Sequence, residues 1–260
     1  MRRFVTLSAL TAVEVMRQPV CLLLTVSCIV LTAVTPLVLL HQFGEDGKIA
    51  RDSGLAYHFM FGMLLVGYSA CSALSREIHN GTASLYLSKP VSRQVYFGAK
   101  FVGLLVVVAA FSVCASLSTL IAERASEHRA YGVGHSHAPR IDWWAGNLLI
   151  ASPFLAMFLA GVLNYRRRCS FQASAYLLVM VLLLGVFFGC GFFDRFGRAS
   201  AYDLRVDWRI LPASLLVSAA LCIFAALALS VSTRLQTTPT LVICIITLLA
   251  GLMLDYISTN

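Results

Sequence analysis

Seven apolar runs, at 20–40, 55–75, 101–122, 145–163, 171–193, 213–232 and 239–254, contain no Asp, Glu, Lys or Arg. A helix needs about 20 mostly apolar residues to cross the hydrocarbon layer. Each run therefore predicts a spanning helix, the last being the shortest. The fold class that follows is an all-α membrane protein, a polytopic helical bundle of about six or seven transmembrane helices. Composition agrees. Of 260 residues, 59% are apolar and 12% charged, against about 45–50% and about 25% in soluble domains. A water-soluble enzyme, a disordered tail and a disulfide scaffold are excluded. The eight cysteines include no C-x-x-C, and seven lie inside apolar runs, as packing residues do. The chain reads as one membrane domain, 1–260.

The net charge of +8 comes from basic residues scattered between the runs. They form no continuous basic face, so membrane-surface placement is favoured over nucleic acid. With the N-terminus in the cytoplasm, the inner segments hold eleven basic residues and two acids, Glu14 and Glu77. The outer segments, chiefly 123–144 and 194–211, then hold nine basic residues and ten acids. Arg166, Arg167 and Arg168 in one very short loop add density to the inner side. The stretch 1–18 is expected as an interfacial helix, with Phe4, Val5, Ala12, Val15 and Met16 on one arc and Arg3, Glu14, Arg17 and Gln18 on the other. Pro19 separates it from the first span.

Charge-free spans argue against an ion-coupled carrier, which binds charge in mid-membrane. His58 reads as an interfacial histidine near the edge of its span. Ser69 faintly matches a serine nucleophile turn. His58, however, is 11 residues away, roughly 16 Å along one helix axis, so no catalytic residue is assigned. His128, His135 and His137 sit in an outer loop without a completing Cys or carboxylate pair, and no metal site is assigned. Gly185 and Gly189 form a G-x-x-x-G for helix packing, either within the subunit or in a dimer. In 202–210 five apolar residues alternate with Asp203, Arg205, Asp207 and Arg209. Period two predicts extended backbone there, as a strand or an interfacial connector.

The segment 76–100 is expected as a cytoplasmic coupling loop. Gly81 permits a bend, and Thr82 to Ser88 allow one or two helical turns exposing Leu85, Tyr86 and Leu87. Pro90 breaks the run, and Ser92 caps the next helix. Lys89, Arg93 and Lys100 point basic ends at headgroups or at a partner. A short docking helix and a plain interfacial loop both satisfy this pattern.

The stretch SREIHNGTASLYLSKPVSRQVYFGAKFVG, residues 75–103, resembles the corresponding loop of ABC-2 type permeases. It is similar in particular to the group named for multi-copper enzyme maturation. The matching residues are Glu77, Gly81, Thr82, Leu87, Ser88, Lys89, Pro90, Val91, Ser92, Arg93, Tyr96, Lys100 and Gly103. Segments 43–56 and 207 onward have a weaker likeness. The resemblance implies an inner-membrane permease, used as a dimer with a second or homologous copy. Each copy would dock a separate ABC ATPase through this loop, the coupling helix, with Glu77, Gly81, Thr82, Leu85, Leu87, Lys89, Pro90, Arg93 and Tyr96 as coupling residues. ATP and Mg²⁺ would belong to that ATPase, with no cofactor on this chain. The remaining partner is membrane lipid, and nucleic acid is not one. Two features depart from the group. Seven spans would leave Asn260 outside, where relatives return to the cytoplasm, and no Cys/Met/His copper path is visible. No G-x-x-x-x-G-K-[ST] occurs in the chain, so hydrolysis has to lie on another polypeptide. The alternative is a non-transporting anchor or regulator of a partner complex.

Overall fold

The computed structural model of the protein describes residues 2–38, 47–79, 92–126, 142–168, 170–193, 202 and 206–259. Among the described residues there are eight helices and no strand. They are α1 (Arg2–Met16), α2 (Pro19–Val38), α3 (Lys48–His79), α4 (Arg93–Ala125), α5 (Trp143–Arg167), α6 (Phe171–Cys190), α7 (Ile210–Val231) and α8 (Thr237–Thr259). Six are long and apolar enough to cross a membrane: Pro19–Val38, Lys48–Leu74, Gln94–Ala125, Trp143–Arg167, Phe171–Cys190 and Ile210–Val231. This is a multi-pass helical membrane protein. The seventh apolar run is helical too, within α8.

Local chemistry sets the helix ends. Pro19 opens α2 at the position where its missing N–H costs nothing. Ser92 precedes α4, and its Oγ accepts from the Val95 N–H at 3.4 Å, as the sequence suggested. Asp142 caps α5 by accepting from the Ala145 N–H at 3.1 Å. Arg168 ends α5 in the left-handed conformation (φ 51°), its N–H returning to Asn164 O at 2.9 Å. Within the spans, hydroxyls bond back to their own helix: Thr32 to Cys28 O at 2.8 Å, Thr35 to Leu31 O at 2.9 Å and Ser118 to Cys114 O at 2.7 Å. That bonding lets polar residues occupy apolar surroundings without a second helix to satisfy them.

The chain divides into two compact units. One comprises Met1–Cys21, Gly62–Ala109 and Ser218–Asn260. Its core holds Leu65, Val66, Leu104, Val107, Leu221 and Leu229. Here α1 lies against α4. A Cβ added to Gly103 would come 2.7 Å from the Ser8 carbonyl oxygen, so only glycine permits this approach. The buried face of α1 is Ser8, Thr11, Ala12 and Val15, while Val5 is exposed. The expected apolar arc is thus wrong in part, because helical spacing places small polar residues against the glycine. Glu14 reaches Lys100 at 3.9 Å, and the Lys100 side chain is nearly buried. The Tyr68 hydroxyl donates to Gln18 Oε1 at 3.0 Å.

The other unit comprises Leu22–Phe61 and Ala110–Val217. Its core holds Ile29, Phe111, Leu120, Ile121, Leu149 and Leu183. His58 belongs to this core and not to an interface. It is fully buried, its Nε2 lies 3.0 Å from Ser112 Oγ, and its ring meets Phe111 edge-on at 5.7 Å. The reason is the early start of α3 at Lys48, which puts His58 about 15 Å along the helix. The expected extended run 202–210 is also corrected at its end. Residues 208–209 form a turn, and α7 begins at Ile210. Asp207 makes the turn, its carbonyl accepting from Ile210 N and its Oδ1 from Arg209 N at 3.0 Å.

Candidate functional site

Most of the expected coupling residues, Gly81, Thr82, Leu85, Leu87, Lys89 and Pro90, lie outside the described residues, as do His128, His135 and His137. Glu77 falls near the end of α3 and Arg93 starts α4. Tyr96 is buried, with the Lys100 ammonium 5.9 Å from its ring centroid. The apolar runs end at 75 and begin again at 101, so both helices continue past them toward 80–91. For α4 the excess is residues 93–100, about 12 Å of helix. Phe4 and Glu14 of α1 accompany that stretch at Gly98 and Lys100. At Gly185 and Gly189 an added Cβ would meet nothing within 4 Å. Among the described residues, then, no neighbour closes on that pair.

Among the described residues, a buried polar cluster lies at the ends of α4 and α5, where the sequence offers only loop charges. Arg124, in the last turn of α4, pairs with Asp142 at the N-terminus of α5, Nε to Oδ2 at 3.4 Å. Their side chains are 4% and 2% exposed. Nη2 of Arg124 also donates to Phe193 O at 2.8 Å. A buried charge is tolerated when paired and hydrogen-bonded, and both conditions hold.

A second group adjoins it. Glu123 Oε2 accepts from the Asp207 N–H at 3.3 Å, and Asp207 Oδ2 accepts from Arg51 Nη1 at 3.2 Å. Gly47 turns there at φ 72°, and a Cβ on it would stand 2.8 Å from Glu123 Oε1. Glycine is needed for both the turn and the carboxylate. Five chain segments therefore converge: 47–51, 123–126, 142–146, Phe193 and 207–209.

Beside the Arg124–Asp142 pair is a cavity of about 260 Å³. Its walls are Trp144, Ala145, Leu148, Cys190 and Phe193. Trp144 and Phe193 are half exposed and Leu148 is 41% exposed, whereas the ion pair is buried. The pair is thus the floor, and the aromatic residues are the mouth. Trp143, Phe192, Tyr202 and Trp208 are exposed as well. Tyr202 stacks edge-on with Phe192 at 5.0 Å and closes on Gly191, where a Cβ would meet its ring at 2.5 Å. Exposed Trp and Tyr at helix ends are the pattern of a membrane–water boundary.

Among the described residues no group of three His, Cys, Asp or Glu is arranged to hold a metal. Ser69 is buried in α3. The chain matches no family model, no curated protein and no solved structure.

Proposed function

We propose that the chain is the transmembrane permease subunit of an ATP-driven exporter of the ABC-2 type, with its N-terminus in the cytoplasm of a bacterial cell and its ATPase on a separate polypeptide. The observation that carries the reading is the segment 75–103. Its LSKPVSR motif is set between two helices that both run past their apolar spans. A connecting segment on two projecting helices is suited to receive a push from a soluble partner. Support for α4 from α1, through Gly103 and the Glu14–Lys100 pair, stiffens the base on which such a push would act. In this reading closure of two partner ATPases moves the two coupling segments, and a pair of permeases rearranges between the membrane faces.

Mild-detergent purification of the tagged protein tests it. An ATPase should co-purify with the wild-type chain. Reversing charge at Glu77, Lys89 and Arg93 together should weaken that association while leaving the permease in the membrane. Charged groups at an interface contribute register and association rate, and a few kcal/mol at most when buried. Unchanged co-purification of the triple variant, or no ATPase with the wild type, would count against the proposal.

A further inference from the structure

Among the described residues none occupies the cavity above Arg124 and Asp142. Its walls are apolar and its volume, about 260 Å³, is below the roughly 300–1,000 Å³ of drug-sized ligand sites. Its polar floor is already engaged. Arg124 is held by Asp142 and the Phe193 carbonyl, and Asp142 accepts from the Ala145 N–H. A water molecule needs two to four polar partners to settle in such a space, and these walls supply few. The mouth, between Trp144, Leu148 and Phe193, opens on the exposed apolar surface of the α5–α6 hairpin, beside the exposed Trp143 and Phe192. Exposed Trp and Tyr there mark a membrane–water boundary, so in a bilayer lipids can reach the mouth.

From this geometry we infer that the cavity is a binding site for one hydrocarbon chain of a membrane amphiphile. The chain enters between Trp144 and Phe193 and ends against the Arg124–Asp142 pair. Attraction comes from filling the void, since lipid tails are as apolar as the walls and transfer from one to the other gains nothing. An empty cavity forfeits dispersion contacts that a chain restores. A seated chain also keeps water from the ion pair. The inference rests on the cavity alone and holds whether or not the chain is an exporter.

The test is fluorescence quenching in phosphatidylcholine vesicles. The reporter is Trp144 as the sole tryptophan, after Trp143→Phe and Trp208→Phe. The probe is a single-chain phosphocholine lipid brominated on its acyl chain. A site predicts a quenching phase that saturates at low mole fraction, on top of a rise proportional to bulk probe. Ala145→Leu fills the cavity from a buried wall position. Leu148→Phe narrows the mouth from an exposed position that tolerates bulk. Loss of the saturable phase in either folded variant, with the proportional rise kept, supports the site. A purely proportional response in the reporter protein, or a saturable phase unchanged in both variants, overturns it.

Discussion

Asp142 does two jobs with two oxygens. Oδ1 caps α5, and Oδ2 neutralises Arg124. The two can be separated. Asp142→Asn keeps an acceptor for the Ala145 N–H but strands the Arg124 charge in a buried place, and should cost about 3–5 kcal/mol. Asp142→Ala should lose about 1 kcal/mol more, for the missing cap. Combining Asp142→Asn with Arg124→Leu should recover much of the loss, because no charge is then left unpaired. Unfolding of detergent-solubilised protein by a denaturing detergent would measure all three. Equal stability of Asp142→Asn and wild type would show that the pair is not desolvated. By contrast, Arg51–Asp207, with side chains 31% and 28% exposed, should contribute about 0–1 kcal/mol. None of this was legible in the sequence. Arg124 and Asp142 are 18 residues apart, on either side of a stretch that reads as loop, and charge at a span end normally means solvent.

Helices approach one another in this chain where glycine allows it, and the cost of losing that allowance differs by site. At Gly54 an added Cβ would sit 2.6 Å from Thr119 Cγ2. Threonine is β-branched and stiff, so Gly54→Ala should destabilise by about 1–3 kcal/mol. Thr119→Ala should restore much of it, since Cγ2 and the equally close Oγ1, 2.7 Å from that Cβ, are then both gone. At Gly103 the obstacle is the Ser8 carbonyl, and no side-chain change can clear a backbone atom. Gly103→Ala should therefore loosen α1 from α4 without a simple rescue. Protease sensitivity of the first 18 residues is the readout, and unchanged protection would show that α1 docks elsewhere. Element existence was readable because lipid demands long apolar runs. Element ends were not. α3 starts at Lys48 and α4 at Arg93, well before their apolar runs at 55 and 101, because a helix outside the hydrocarbon needs no apolar residues. The inner face of α1 escaped for the opposite reason: Ser8 and Thr11 are polar by any hydropathy measure, yet small enough to pack.

At the scale of the whole molecule, alternating helices and the inner excess of Lys and Arg set one expected topology. Pro90→Cys and Arg167→Cys, each as the sole cysteine, should be shielded from an impermeant maleimide in intact cells, while Gly134→Cys should be labelled. Labelling at position 90 would reverse the orientation and with it the site proposed for ATPase docking. The self-bonded hydroxyls of the spans carry a different kind of consequence, for descent. Thr32, Thr35 and Ser118 donate to carbonyls that their own helices already satisfy. Exchange among Thr, Ser and Ala at these positions leaves no other helix short of a partner. Lineages carrying this chain should exchange these residues more readily there than at a hydroxyl shared between two helices, within the limits that burial sets on size. Ser112 is tied by its hydroxyl to His58 across two helices, and should change only when position 58 changes with it.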